Sequence, residues 1–137
     1  MLRFRGMATV LVVDDASELL SALGEALTEE GWEVVAAASS REALEAVRSR
    51  PIDVVLCDVL LGEEDGRSLR RAFAGEPRLS EIPFVFMTAS TREVRSSGLE
   101  YALPKPFSIT DVLGILERAR QDQQDRQGRQ DRADRTG

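Results

Sequence analysis

The stretch Ile52 to Asp58 limits the possible folds more than any other: it follows Pro51, is rich in valine, has strand length and closes on an aspartate. A strand with one wet face alternates apolar and polar residues, so an apolar run such as Val54 to Cys57 implies a strand covered on both faces. Ala8 to Val13 repeats the pattern and ends on Asp14 and Asp15, while Trp32 to Ala37, Ile82 to Met87 and the short Tyr101 to Leu103 supply three further runs. Helical spacing lies between them. Leu19, Leu20, Leu23, Ala26 and Leu27 form one stripe that stops at Gly31, and a Ser39-to-Glu42 capping box precedes Ala43, Leu44 and Val47. Leu69, Ala72 and Phe73 mark a short helix closing near Gly75, and Ser108 caps a last helix striped by Ile109, Val112, Leu113 and Leu116.

Strands alternating with helices predict an α/β fold: a doubly wound, flavodoxin-like sheet of five parallel strands in the order 2-1-3-4-5, with helices on both faces. About a dozen residues separate Thr88 from the fifth strand, close to the minimum for a parallel crossover. The fourth helix is therefore expected to be short or missing, with Thr91 to Ser96 forming one turn or an irregular loop. Trp32, at a strand start, is expected to be partly exposed.

At 137 residues the chain is expected to hold one domain, spanning 7–120, behind a disordered leader over 1–6. From Gln121 to Gly137 no large apolar residue occurs and four aspartates balance four arginines, which predicts a solvated, low-complexity tail. Aspartate-to-arginine pairs four apart, such as Asp122 with Arg126, would let the last helix extend some way into it. No stretch is long and apolar enough to span a membrane and no signal-peptide pattern occurs, so the expectation is a cytoplasmic protein with no membrane partner. A net charge of −6 argues against a nucleic-acid surface. Histidine is absent and Cys57 is the only cysteine, which removes serine-histidine and cysteine-histidine chemistry, common zinc sites and any disulfide framework. Chemistry falls to carboxylates, hydroxyls and Lys105, the only lysine in a chain otherwise rich in arginine.

In the order 2-1-3-4-5 the first and third strands are neighbours at the sheet's reversal point, where ligands collect outside the carboxyl ends. That brings Asp14, Asp15 and Asp58 together, with Thr88 and Lys105 at the ends of the next two strands. Clustered carboxylates repel one another unless a cation compensates them, and magnesium, which takes one or two carboxylates and keeps several waters, suits the set. The competing reading of Asp14 and Asp15 is capping of the first helix.

These residues carry a family resemblance. From about Thr9 to Arg120 the chain resembles the receiver domain of two-component response regulators. Asp14 and Asp15 match the acidic pair, Asp58 the phospho-accepting aspartate, and Asp65-Gly66 the pair ending the loop after it. Thr88-Ala89 matches the switch hydroxyl and its small neighbour, and Lys105-Pro106-Phe107 the lysine-proline segment. The resemblance implies a single-domain response regulator that accepts a phosphoryl group on Asp58 from the phosphohistidine of a sensor histidine kinase or phosphotransfer protein. It would then signal to a downstream protein, as a monomer or weak dimer, and catalyse only its own phosphorylation and dephosphorylation. It implies Mg2+ held by Asp15, Asp58 and the Leu60 carbonyl, with Asp14 acting mainly through water. It further implies that Lys105 and Thr88 contact phosphoryl oxygens, that Val59, Ala89 and Pro106 are phosphate-contact or switch positions, and that the Lys105–Pro106 bond is cis.

The chain departs from the family pattern in places. Ala102 stands where an aromatic three residues before the lysine is usual, and Tyr101 lies one residue earlier, on the opposite strand face. Pro83 to Thr88 resembles the PFxFATGY subgroup, although Ala89-Ser90 replaces its glycine-tyrosine. Gly62 replaces a common loop proline. The resemblance implies that Leu60 and Ser90 occupy positions governing how readily water reaches a phosphoryl group, and a leucine there is expected to shield it; Glu63 and Glu64 read as solvated loop charges.

Three rival readings remain. One is a receiver-like interaction module that works without phosphorylation. An aspartate-nucleophile, magnesium-dependent phosphatase would need an acid two residues after the nucleophile, where Leu60 stands. A flavin-binding module of the same topology would need hydroxyls or glycine after the first strand, where Asp14-Asp15 would repel a phosphate.

Overall fold

The computed structural model describes residues 7–90, 92 and 101–136, with 130–136 described by their helical backbone alone. The elements run β1 (Thr9–Val13), α1 (Ser17–Glu29), β2 (Glu33–Ala37), α2 (Ser40–Ser49), β3 (Val54–Asp58), β4 (Leu60–Leu61), β5 (Glu64–Asp65), α3 (Gly66–Ala74), β6 (Phe84–Thr88), β7 (Ala102–Pro104) and α4 (Ile109–Thr136). Five strands form one parallel sheet in the order β2-β1-β3-β6-β7, which is the expected 2-1-3-4-5 once the small β4–β5 hairpin is set aside.

The apolar runs are uninterrupted because alternate residues serve two cores. Val10, Val12, Val54, Leu56, Val85 and Met87 face α1 and α4, where Leu23, Leu27, Val112, Leu116 and Ala119 close the layer. Leu11, Val13, Val55, Cys57, Phe84 and Phe86 point the other way, toward Ala43 and Val47 of α2 and Leu69 and Phe73 of α3. Every residue of β1, β3 and β6 is buried. Edge strand β2 is only half covered. Local chemistry sets the helix ends. The Ser39 hydroxyl accepts from the Glu42 N–H while the Glu42 carboxylate accepts from the Ala38 N–H, and Ser108 and Asp111 exchange the equivalent pair of bonds before α4. Gly31, at φ 96°, follows α1 in the left-handed conformation that glycine adopts without a Cβ penalty.

The structure departs from the sequence-based expectations in three ways. Trp32 lies before β2 rather than in it and is buried, packed in the α1/α4 core with the Arg120 guanidinium 5.8 Å from its ring. After Arg120, α4 continues to Thr136, well beyond the partial extension expected of the last helix. Its continuation is anchored by side chains. The buried Tyr101 hydroxyl donates to Asp122, Arg118 lies 5.3 Å from the Tyr101 ring, Gln123 donates to Glu81, and Gln121 donates to Asp125 one turn on. Third, the segment after Asp58 is a two-stranded antiparallel hairpin rather than a plain loop. The expectation of a reduced fourth helix falls on Thr91 to Ser96, of which all but 92 lie outside the described residues.

Phe73 is 2% exposed and meets Phe84 edge to face at 4.9 Å, with Phe84 stacked in turn on Phe86. Phe73→Ala should cost about 3–5 kcal/mol through lost burial and a residual cavity, read as a lower midpoint in equilibrium urea unfolding. A loss below about 1 kcal/mol would mean that α3 is not held through this ring.

Candidate functional site

The site lies at the carboxyl rim of the sheet. Val13 pairs with Cys57 in the parallel register, so the next residues, Asp14 and Asp58, emerge side by side. Both are buried, Asp14 at 1% exposed and Asp58 at 8%. Asp58 uses both oxygens: Oδ1 accepts from the Leu60 N–H at 2.8 Å and Oδ2 meets Lys105 Nζ at 2.6 Å. Lys105 follows β7, held there by its N–H donating to the Thr88 carbonyl, and its side chain reaches across the end of β6 to Asp58. The Lys105–Pro106 bond is cis.

Asp14 does not cap α1, whose N-cap is Ala16 with no side-chain cap bond; its Oδ1 accepts from the Ala16 N–H at 2.8 Å in a local turn before the helix. Its Oδ2 is buried with no hydrogen-bond partner among the described residues. Burial pushes the Asp14 carboxyl up to about 6; the Ala16 bond opposes that rise and the neighbouring Asp58 carboxylate adds to it. Asp15 is exposed, and its Oδ2 lies 3.4 Å from where a Cβ on Gly62 would sit, so the hairpin turn abuts the acidic pair.

The hairpin fixes the loop after Asp58. The Gly66 N–H donates to the Val59 carbonyl, which makes 59/66 a bonded pair and leaves Leu60 opposite Asp65 as a non-bonded one. The Leu60 carbonyl therefore points out of the ladder. Gly62, at φ 61°, makes the turn in a conformation closed to proline, whose ring holds φ near −65°. Asp65 caps α3 through the Arg67 N–H and grips the Arg67 guanidinium with both oxygens, which holds its carboxyl below the usual range. Glu64 is exposed, as expected of a solvated loop charge, and also accepts from the Ser40 N–H at 3.4 Å, which ties the hairpin to α2.

Two sequence-predicted positions are engaged elsewhere. The Thr88 hydroxyl donates to the Ser90 carbonyl and accepts from the Ser90 N–H, a local turn rather than a contact with Asp58. The Val59 N–H donates to the Met87 carbonyl within the sheet, so of the two amides after Asp58 it is that of Leu60 which faces the carboxylate. Ala89 and Pro106 are exposed near the rim. Sequence reading missed the Leu60 amide, because a backbone donor leaves no side-chain signal. It also missed the close approach of Gly66, where a Cβ would run into the Asp58 carbonyl and touch Cys57 Sγ.

A divalent ion fits this donor set. A buried Asp14 carboxylate oxygen without a partner among the described residues and the Asp58 carboxylate beside it are hard oxygen donors of the kind magnesium takes. No group of three acidic side chains close enough to hold a metal occurs among the described residues, so Asp14, Asp15 and Asp58 are not gathered into the single cluster the sequence led one to expect.

Sheet order and rim together define a receiver-type α/β domain. Residues 10–117 match the response regulator receiver domain family. The chain is 36% identical over 117 residues to the transcriptional regulatory protein ZraR of Escherichia coli, covering 80% of this chain and 26% of that one. It is 32% identical to the transcriptional regulatory protein GltR of Pseudomonas aeruginosa, covering 84% and 51%. It thus spans a quarter to a half of the length of these relatives. Among solved structures it superimposes on chemotaxis response regulator CheY4 of Vibrio cholerae with a TM-score of 0.75 at 29% identity, covering 83% of this chain and 99% of that one. A sensor protein from Polaromonas sp. JS666 gives 0.80 at 25% identity, covering 86% and 99%. The chain belongs to the response regulator receiver domain family.

With its folded pKa raised above 3.8, Asp14 binds its proton more tightly in the native state than in the unfolded one. Stability of the metal-free protein should therefore fall as pH rises from about 3.8 to about 6, with the whole cost present above that. In EDTA at neutral pH, Asp14→Asn should raise Tm by about 5 °C. An unchanged or lower Tm would show that the buried charge is not a destabilising one.

Proposed function

We propose that this domain accepts a phosphoryl group on Asp58 from a phosphohistidine of a sensor histidine kinase or phosphotransfer protein and passes the signal on through protein contacts. The observation that supports this most directly is the Lys105 ammonium at 2.6 Å from a nearly buried Asp58 carboxylate, with the unpartnered Asp14 oxygen beside it. In the proposed step an Asp58 oxygen attacks phosphorus in line, the phosphorus–nitrogen bond of the donor breaks, and the electron pair leaves with the imidazole. Such transfer rests on positioning and charge neutralisation. Asp15, Asp58 and the Leu60 carbonyl would hold Mg2+, with Asp14 reached through water. The bound ion would offset the charge on the carboxylates and phosphoryl oxygens.

Lys105, already on Oδ2, would pass to a phosphoryl oxygen, and the Leu60 amide would remain as a backbone donor at the site. The Thr88 hydroxyl would exchange its Ser90 acceptor for a phosphoryl oxygen, which requires the Thr88–Ser90 turn to open. The fully buried strand ends give the acceptor a fixed position for that change.

With acetyl phosphate and magnesium, intact-mass measurement should show a gain of one phosphoryl group in the wild type and none in Asp58→Asn. Equal gains in both would overturn the assignment. Leu60, 70% exposed beside the acceptor, is proposed to slow the approach of water. Leu60→Asn should then shorten the lifetime of the phosphorylated form, timed by mass, and an unchanged lifetime would remove that role.

A further inference from the structure

At the opposite end of the sheet, α2 and the connection from α3 to β6 enclose an open cleft of about 430 Å³. Its floor is apolar, made by Val47, Ile52 and Leu79, each less than a tenth exposed. Three arginines stand on its walls, Arg48, Arg50 and Arg78. Arg48 is bound by Glu76 at 2.6 Å, an ion pair that ties the end of α2 to the segment after α3 and gives the cleft a fixed wall. The side chains of Arg50 and Arg78 are exposed and make no hydrogen bond or ion pair among the described residues, the Arg50 backbone N–H alone being used, on the Ala46 carbonyl at the end of α2. A surplus of positive charge is thus gathered over an apolar floor in a chain whose net charge is −6.

We infer that this cleft docks an acidic peptide segment of a partner protein, with an apolar side chain on the Val47/Ile52/Leu79 floor and carboxylates on Arg50 and Arg78. Charge complementarity selects an anionic occupant, and guanidinium groups take carboxylates through paired hydrogen bonds. The apolar floor selects an occupant with apolar side chains, which a free inorganic anion lacks. Two unpaired arginines on an acidic protein are a poor match for the phosphate backbone of a nucleic acid, whose binding grows with the number of phosphates neutralised. The cleft lies before Val54 and Phe84, at the amino ends of β3 and β6, while Asp58 closes β3; the strand separates the two by roughly 17 Å. A partner seated there leaves the Asp58 rim open to a phosphodonor.

Fluorescence anisotropy on the full chain tests this with a short fluorescein-labelled peptide alternating glutamate and leucine. The peptide should bind the wild type, and an Arg50→Glu, Arg78→Glu double variant should bind it about tenfold or more weakly, the effect expected for two lost charge contacts. The milder Arg50→Gln, Arg78→Gln pair should fall in the same direction, with both variants melting like the wild type by circular dichroism. Glutamine in place of glutamate, or serine in place of leucine, should weaken binding, and Asp58→Asn should leave it unchanged. This last arm separates the cleft from the acceptor site. Absence of binding to the wild type, equal binding by the arginine variants, or tighter binding of a uridine oligonucleotide of the same length would overturn the inference.

Discussion

A carboxylate at the end of a strand buried on both faces needs a counter-charge within reach, and the Lys105–Asp58 ion pair supplies it. Three strands of the sheet are covered along their whole length, so their carboxyl ends open onto a narrow rim where Asp14 and Asp58 are kept from most water. Separation is not an option for them, because the β1–β3 register fixes them as neighbours. One ammonium on a long flexible stem reaches Asp58 from two strands away, as a compact point charge. That every other basic residue of the chain is arginine makes the lysine here more telling.

The same rim depends on a second layer of contacts. Asp65 and Arg67 lock the start of α3, Glu64 reaches α2, and the 59/66 hydrogen bond closes the hairpin directly behind the acceptor. With these in place the backbone after Asp58 is narrowly determined, and the Leu60 amide lies against the carboxylate. The acidic pair, acceptor and lysine form one electrostatic unit, and the hairpin is its frame.

Much of this was legible in the chain itself. Unbroken apolar runs announced buried strands, their acidic ends announced the rim, and the lone lysine announced its partner. What local pattern could not reveal was whatever depends on distant residues. The aspartate-to-arginine spacing allowed some helical continuation past Arg120, but not its full length, and its anchor is Tyr101, a residue about twenty positions upstream. Trp32 was misread because the helix that covers it comes last in the sequence. The hydrogen bonds of Thr88 to Ser90 and of Val59 to Met87 are likewise set by backbone geometry that side-chain type does not reveal. Strand ends moved by a residue or two at β6 and β7, where proline and turn residues flank short runs.

Gly66 gives this architecture an uneven tolerance to change. Its Cα faces the Asp58 carbonyl so closely that even a methyl group would force one chain segment off the other, and Gly62 holds a turn that most side chains resist. Between these two fixed points Glu63 is exposed, as is Leu60 just before them. Anyone wishing to retune the mouth of the site could vary those outward positions freely, but the pair of glycines marks where the scaffold itself begins.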